Sequence, residues 1–167
     1  MAASYPLSVN GTSIPTSEAL FQVCKFPHSP DIQALIIAQT SPMAAKMKAR
    51  PHRQSVRPDW QAINGQVMRW CLHVKLAQNW RRFGDLLLRT GDRPIVEESH
   101  RDTFWGARSV DADTLAGFNL LGRLLMELRA ELLGPKRAAL RSVPPPDLTD
   151  FLLVGQPIAM IEALQDD

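Results

Sequence analysis

The sequence contains few of the residues that mark metal-binding, disulfide-linked or membrane proteins. Its 167 residues include two cysteines, Cys24 and Cys71, which lie far apart and outside any CxxC motif or Cys/His cluster with metal-ligand spacing. No uncharged apolar run reaches the roughly 18 residues of a membrane span, and the N-terminus MAASYPLSVNG lacks the basic start and apolar core of a secretory signal. We therefore expect the two thiols to be buried and the protein to be cytoplasmic. We expect no bound metal, no cofactor and no contact with a membrane.

Signature motifs of two common enzyme classes are also missing. The sequence has no GxSxG nucleophile motif, and the glycines around Gly117 and Gly122 lack the spacing of GxGxxG or of a phosphate-binding P-loop. These absences disfavour a serine hydrolase of the GxSxG type and a nucleotide site built on a glycine-rich loop.

What is present is the composition of one ordinary domain, with 45% hydrophobic and 22% charged residues. The net charge of +2 conceals an uneven distribution. Between Lys46 and Arg82 there are nine basic residues and one acid, Asp59, whereas five acids and no bases follow Arg141. The basic stretch is typical either of an anion-binding surface or of a solvated helix face, and charge alone does not name a ligand.

Turn and capping residues predict a predominantly α-helical α+β fold, a multi-helical single domain with a small N-terminal β-hairpin and one short additional strand. Asn10-Gly11 lies between two segments with β-branched residues, as in a two-residue hairpin turn that needs positive φ. Three short helices should follow, the first capped by Thr16 and the next two started by Ser29-Pro30 and Ser41-Pro42.

Apolar spacing predicts the later elements. Ile63, Val67, Cys71 and Leu76 recur at helical steps, so we expect a long helix over residues 59–79 with Asp59 as N-cap. Gly65 is less favourable than alanine inside a helix, so it is the position that would allow a bend or an earlier break. Further helices are expected over residues 83–90 and 121–132, and a short strand over residues 94–99.

The pattern weakens after these helices. We expect a domain over residues 1–134 and a proline-containing acidic tail over residues 135–167, with PPP at 144–146 as a stiff spacer. The tail segment DFLLVGQPIAMIEAL is apolar enough to dock either on the domain or on a partner, and its spacing does not decide between them.

Two groups of residues carry possible chemistry. Glu18, Gln22 and Lys25 share one face of the first helix, so they form either an exposed polar stripe or one wall of a ligand site. Around Trp105 the run VEESHRDTFWG places carboxylates beside two aromatic rings, which suits either stacking on a base or sugar with acid catalysis, or a buried aromatic pair with solvated acids.

Six segments carry recognisable motifs and follow one another along the chain: IPTSEALFQVCKF, RPDW, QVMRWCLHVKL, LLLRTGDRPIVEES, DTFWG and GFNLLGRLLMELR. Together they resemble the blocks of the NADAR (YbiA-like) family of N-glycosidase domains, over residues 5–133. Two departures stand out. Ala19 occupies the position where the family usually has histidine, and the F/L-S-N block that family members carry upstream of the hairpin is expected to be missing from this chain.

The resemblance implies a pocket for an ADP-ribose-like ligand and cleavage of an N-glycosidic bond. Cleavage at C1 of ribose passes through an oxocarbenium-like state, so a carboxylate there stabilises charge or activates water, whereas a lysine of lowered pKa attacks C1 and gives an imine. By resemblance Glu18, Lys25 and Asp102 are the catalytic candidates. The substrate-binding candidates are Gln22, Arg57, Trp60, Lys75, Trp105, Gly106 and Asn119. Among them, Arg57 and Lys75 are expected to hold phosphates, and Trp60 and Trp105 are expected to stack on a base.

Within the family, the sequence looks more like the bacterial branch that removes ADP-ribose from guanine bases of nucleic acid, as antitoxin to an ADP-ribosyltransferase toxin. The expected partners are therefore ADP-ribosylated nucleic acid, or an ADP-ribose-like small molecule, and a cognate toxin. Two alternatives stay open: cleavage of a phosphorylated ribosyl-pyrimidine intermediate of riboflavin synthesis, and a non-catalytic ADP-ribose-binding module. A pure interaction module that acts through the tail ranks last.

Overall fold

The structure is a computed structural model, and it describes residues 5–164. Six α-helices and several two-stranded sheets are found in this part of the chain, which confirms the predicted α+β class. The described residues divide into two compact units, the first formed by residues 5–83 and 139–164 and the second by Gly84–Ala138.

The first unit opens with the predicted hairpin. Strand β1 (Leu7–Val9) pairs antiparallel with β2 (Thr12–Ile14), and Leu7 lies opposite Ile14. Asn10 and Gly11 have φ values of 50° and 73°, which are the positive values that a tight turn between twisted strands requires. Leu7, Val9 and Ile14 are buried, so the hairpin presents one apolar face to the core of this unit.

Three short helices follow, as expected: α1 (Ser17–Val23), α2 (Pro30–Ile37) and α3 (Pro42–Ala49). The Thr16 hydroxyl accepts a hydrogen bond from the backbone N of Ala19 at 3.0 Å and so caps α1. The predicted hydroxyl cap of α2 is wrong, because the Ser29 side chain makes no capping bond and Pro30 alone sets the start. A 3₁₀ helix, Arg50–Ser55, continues α3 and was not predicted.

The long helix is α4 (Trp60–Gln78), and it runs without a break through Gly65. Its buried stripe includes Val67, Cys71, Leu72 and Leu76. Asp59 precedes the helix but makes no side-chain cap, because its carboxylate is paired with the Arg57 guanidinium at 2.6 Å. Helix α5 (Trp80–Arg89) then continues from the first unit into the second.

The last part of the chain packs within the first unit. Strand β5 (Ser142–Val143) pairs with β8 (Ile161–Glu162), and β6 (Leu152–Leu153) pairs with β7 (Gln156–Pro157). The fully buried Gln33 of α2 donates to the Leu152 carbonyl at 3.0 Å and accepts from the Val154 N at 2.6 Å. The sequence left open whether the tail docks on its own chain or on a partner. In the structure it docks on its own chain.

The second unit contains the end of α5, the two-stranded pair β3 (Arg108–Ser109) and β4 (Leu115–Ala116), and helix α6 (Leu120–Leu133). Gly134 ends α6, as the sequence predicts. The strand expected over residues 94–99 is not formed, since this segment makes only a single bridge, between Glu98 and Ala107.

Across residues 5–164, no helix combines the length and the apolarity that crossing a membrane would demand.

Candidate active site

The polar face of α1 forms a hydrogen-bonded row. Gln22 donates from Nε2 to Glu18 Oε1 at 2.7 Å and accepts at Oε1 from Lys25 Nζ, also at 2.7 Å. The opposite face of α1 is fixed by burial, since Ala19, Leu20 and Val23 are fully buried. Gln22 is itself 2% exposed, so packing restricts the movement of its amide. The two hydrogen bonds of this amide then hold the Glu18 carboxylate and the Lys25 amine in place on one surface.

The environment of Lys25 makes its ammonium easier to deprotonate. Burial lowers the pKa of this amine below 10.5, the Glu18 carboxylate acts in the opposite direction, and the positive charge of Lys46 lowers the pKa further. The Nζ atom lies 5.5 Å from the ring centroid of Phe21 and 5.4 Å from that of Trp60. The centroids of these two rings are 5.0 Å apart. The Lys25 amine therefore has aromatic rings on one side and the Gln22 amide on the other.

A cleft of about 380 Å³ opens beside this row. Gln22, Lys25 and Phe26 line it from α1, and residues of α3 and the 3₁₀ helix line the other side. Among the described residues that line the cleft there is no acid, and four are cations: Lys25, Lys46, Arg50 and Arg53. The cleft is therefore suited to an anionic ligand.

Lys46, Arg50 and Arg53 were not among the predicted site residues, although they belong to the basic stretch found in the sequence. Their signal was the helical spacing of positions 46, 50 and 53, which places basic residues on one face. Which face of α3 meets α1 depends on tertiary packing, so charge patterning did not select these three from the other basic residues.

Arg57 is held by neighbours within the first unit. Its Nε and Nη2 donate to the two Asp59 carboxylate oxygens at 2.6 and 2.9 Å, and Nη2 also donates to the Thr149 carbonyl at 2.8 Å. Its backbone N donates to the Lys25 carbonyl at 2.9 Å. Arg57 thus supports the end of α1, while a phosphate contact at this residue stays a prediction.

Lys75 lies in the last turn of α4 and is 3% exposed. Its Nζ is 4.2 Å from the Tyr5 ring centroid and 4.0 Å from that of Phe83. Burial lowers the pKa of this amine from 10.5 to about 8. This position accounts for Lys75 as part of the core, and its predicted phosphate contact also stays a prediction.

The remaining predicted residues belong to the second unit. Asp102 Oδ1 accepts from the backbone N of Phe104 at 3.1 Å and of Trp105 at 2.9 Å, which orders the DTFWG turn. The Gly106 carbonyl accepts from the backbone N of Asn119 at 3.1 Å. The Asn119 side chain donates to the Ile95 carbonyl at 2.9 Å and accepts from the Glu97 N at 3.0 Å.

These bonds give each of the four residues a role in local structure: Asp102, Trp105, Gly106 and Asn119. Phe104, next to Trp105, is 47% exposed and stacks on Phe118 with centroids 5.8 Å apart. The buried aromatic pair offered as the alternative in the sequence is therefore wrong for Phe104. Catalytic and stacking roles for Asp102 and Trp105 stay predictions.

The two cysteines are buried free thiols, as predicted. Burial, together with the hydrogen bond to Cys24, raises the pKa of Cys71 well above its ordinary value. Within residues 5–164, no group of three or more His, Cys, Asp or Glu side chains is arranged to hold a metal ion.

Comparison with known proteins gives consistent results. Residues 2–133 match the family described as the NADAR domain. The chain is 37% identical over 130 residues to the N-glycosidase YbiA of Escherichia coli K12, an alignment that covers 78% of each protein. It is 34% identical over 128 residues to an N-glycosidase of Nostoc punctiforme, covering 75% of this chain and 79% of that protein.

Two further similarities bear on substrate and fold. A riboflavin biosynthesis protein of Vibrio vulnificus is 37% identical over 134 residues, which are 79% of this chain and 35% of that protein. The NMR structure of Escherichia coli YbiA superimposes with a TM-score of 0.64 at 36% identity, covering 78% of this chain and 74% of the other.

Proposed function

Because the chain belongs to the NADAR domain family, we propose that it is an N-glycosidase that removes ADP-ribose from guanine bases of nucleic acid. Relatives named as N-glycosidases support the reaction class. The finer substrate and a role as antitoxin to a cognate ADP-ribosyltransferase toxin are part of the same proposal.

The observation that carries the proposal is the row Glu18–Gln22–Lys25 at the edge of a cationic cleft. Cleavage at C1 of a ribose builds up positive charge on that carbon. A carboxylate stabilises this charge, and a neutral amine attacks the carbon directly. The row provides both groups. The cleft beside it supplies positive charge for the phosphates that such a ligand carries.

In the proposed reaction the neutral Lys25 amine attacks C1 of the ribose. The new Nζ–C1 bond replaces the bond from C1 to the guanine nitrogen, and the departing base takes up a proton. Loss of a proton from Nζ and opening of the sugar ring then give an imine between Lys25 and C1, which water hydrolyses to ADP-ribose and free lysine. The lowered pKa of Lys25 supports this route because only the deprotonated amine is a nucleophile.

The Glu18 carboxylate has a complementary role. Its negative charge faces the region where C1 becomes positive, and it accepts protons that the amine or an attacking water releases. If water instead of Lys25 attacks C1, Glu18 is the residue that activates it. Both routes place the chemistry on the same helix face.

Two other functions remain candidates. The name of the Vibrio vulnificus relative, a riboflavin biosynthesis protein, supports the alternative of a phosphorylated ribosyl-pyrimidine from riboflavin synthesis, and the cationic cleft also suits its phosphate. A non-catalytic ADP-ribose reader would use the same cleft without turnover.

A single set of assays separates these functions. The protein is incubated with a guanine-ADP-ribosylated oligonucleotide and with a phosphorylated ribosyl-pyrimidine, and free ADP-ribose or free pyrimidine is quantified, alongside calorimetric binding of ADP-ribose. We expect release of ADP-ribose from the oligonucleotide. Turnover of the pyrimidine alone would replace the proposed substrate, and binding of ADP-ribose without any release would identify a reader.

A further inference from the structure

The end of α1 depends on contacts from elsewhere in the first unit. The helix has seven residues, Ser17–Val23, and Lys25 follows its end by two positions. Helices of this length are marginal on their own in water, and the last carbonyl groups of any helix lack partners within it. The position of the Lys25 amine is therefore set by the groups that bind the chain around residues 23–28.

The side-chain amide of Gln33 joins this end of α1 to the C-terminal segment, residues 139–164. Gln33 lies on α2 and is fully buried. Its Nε2 donates to the Val23 carbonyl at 3.2 Å and to the Leu152 carbonyl at 3.0 Å. Its Oε1 accepts from the Val154 N at 2.6 Å. Three of the four hydrogen bonds open to a glutamine amide are thus divided between α1 and the C-terminal segment.

A second link reaches Lys25 itself. The backbone N of Arg57 donates to the Lys25 carbonyl at 2.9 Å, and Nη2 of the same residue donates to the Thr149 carbonyl at 2.8 Å. Beyond Lys25, Nε2 of His28 lies 3.3 Å from Oδ2 of Asp150. All of these contacts meet the chain within three residues of Lys25, and all of them come from one stretch of the C-terminal segment.

The C-terminal segment is itself held by burial. Phe151 and Leu153 are buried, and the Phe151 ring meets the Trp70 ring of α4 edge-on with centroids 4.9 Å apart. The segment lies outside residues 2–133, which match the NADAR family. The family match therefore assigns it no part in catalysis.

We propose that the C-terminal segment is a positioning part of the catalytic centre, which fixes the end of α1, and with it the Lys25 amine, through Gln33 and Arg57. Gln33 is a positioning residue, since it is fully buried and acts through Val23. The inference rests on the proposed function, which assigns Lys25 to the reaction. Misplacing a reacting group by about 1 Å can lower a rate by about 100-fold, so the segment contributes to the rate and not to the binding of phosphates.

The variant Gln33→Met tests this role. Methionine fills a similar space but cannot donate to the Val23 and Leu152 carbonyls. The kcat for release of ADP-ribose from the guanine-ADP-ribosylated oligonucleotide should fall at least about tenfold. KM and the calorimetric Kd for ADP-ribose should stay close to the parent values, because the cations that line the cleft are unchanged.

A second readout follows the Lys25 amine without substrate. Brief acetylation with acetic anhydride at a series of pH values, with peptide mass spectrometry, measures the fraction of this amine that is deprotonated. Burial lowers the pKa of Lys25, so a loosened α1 end should move the acetylation midpoint of Gln33→Met to higher pH. The charged groups that face the amine are the same in both proteins: Glu18 on α1, and Lys46, Arg50 and Arg53 across the cleft.

Asn10→Gly is the matched control. Asn10 donates to the Pro157 carbonyl at 2.9 Å and accepts from the Ala159 N at 3.1 Å, so it binds the same segment from the hairpin turn. Glycine adopts the positive φ of this position without strain. We expect Asn10→Gly to keep the parent kcat and the parent acetylation midpoint.

A second variant separates positioning from stability. Because Gln33 is fully buried, Gln33→Met should unfold at a lower urea concentration, so all rates are taken per folded protein. Phe151→Leu weakens the contact with Trp70 while keeping an apolar side chain in the segment. It should change kcat and the acetylation midpoint in the same directions, and it decides the test if Gln33→Met does not fold. Lower stability alone would change neither quantity per folded protein.

Three results would overturn the positioning role. The first is a kcat or an acetylation midpoint that stays at the parent value in these variants. The second is a rise in KM and in the Kd for ADP-ribose with kcat unchanged, which would assign the segment to binding. The third is an equal effect in Asn10→Gly, which would show a general response to weaker docking.

The acetylation measurement requires no turnover, so the positioning role and the proposed function fail separately. If the parent protein releases no ADP-ribose but Gln33→Met raises the acetylation midpoint, the positioning of Lys25 stands and the proposed reaction falls. If the parent protein releases ADP-ribose and Gln33→Met releases it equally fast, the reaction stands and the positioning role falls.

Discussion

Replacing Lys75 with methionine should remove a pH dependence from the stability of the protein. Lys75 is 3% exposed, between the rings of Tyr5 and Phe83. Its pKa falls from 10.5 in an exposed chain to about 8 in the folded protein, because burial disfavours the ammonium. The folded and unfolded chains therefore bind different numbers of protons between these two pH values.

The direction of the effect follows from this difference. Between pH 8 and 10.5 the unfolded chain keeps the proton that the folded chain has lost, so the free energy of unfolding rises with pH. At about 1.4 kcal/mol per pKa unit, the whole interval amounts to about 3 kcal/mol. The faces of the two rings attract the ammonium and act against burial, so this figure is an upper value.

Urea unfolding from pH 7 to pH 10.5 measures the effect in the parent protein and in Lys75→Met. We expect the stability difference between them to change in favour of the parent as pH rises, by up to about 3 kcal/mol. Lys48→Met is the control, since Lys48 is exposed and should show no such change. A difference between parent and Lys75→Met that stays constant across this range would refute the reasoning.

Three further predictions test the site and its support. Borohydride added during turnover should reduce the imine and leave ADP-ribose joined covalently to Lys25, as detected by peptide mass spectrometry. The rate of ADP-ribose release should rise with pH until the lowered pKa of this amine is passed. Active enzyme without an adduct would favour attack by water. Gly122→Ala should lower the free energy of unfolding by about 1–3 kcal/mol, because the new methyl group would overlap the Ile95 carbonyl, and an unchanged urea midpoint would contradict this. Asp59→Asn should cost about 1 kcal/mol at pH 7, since Asp59 is half exposed but neutralises the buried Arg57. The Arg57 bond lowers the pKa of Asp59 below 3.8, so the contribution is present above that pH and the two proteins should converge in stability as pH falls through the lowered pKa.

Local sequence signals predicted much of the fold because they act over a few residues. Asn10-Gly11 forms the expected positive-φ turn, and Pro30 and Pro42 begin α2 and α3. One failed signal met a competing partner: Asp59 is bound by Arg57 and does not cap α4. This competing contact comes from the folded chain and was not visible as a helix-capping pattern.

The candidate site shows the same division. Helical spacing placed Glu18, Gln22 and Lys25 on one face, and the structure links them by hydrogen bonds. The cations opposite them depend on how α3 packs against α1, so the basic stretch alone did not distinguish Arg50, which lines the cleft, from Lys75, which lies among aromatic rings. The docking of residues 139–164 likewise includes a long-range partner, the buried amide of Gln33 on α2, that no local pattern marks.

The decisive measurement is the rate at which ADP-ribose is released from a guanine-ADP-ribosylated oligonucleotide by the parent protein, by Glu18→Gln and by Asp31→Asn. Asp31 is an exposed acid in the first turn of α2 and serves as the matched control. With the glycosidase chemistry on the face of α1, Glu18→Gln should lose on the order of 10²–10⁴-fold in rate while ADP-ribose still binds, and Asp31→Asn should act like the parent. Undiminished release by a folded Glu18→Gln variant would contradict the assignment of the active site to α1.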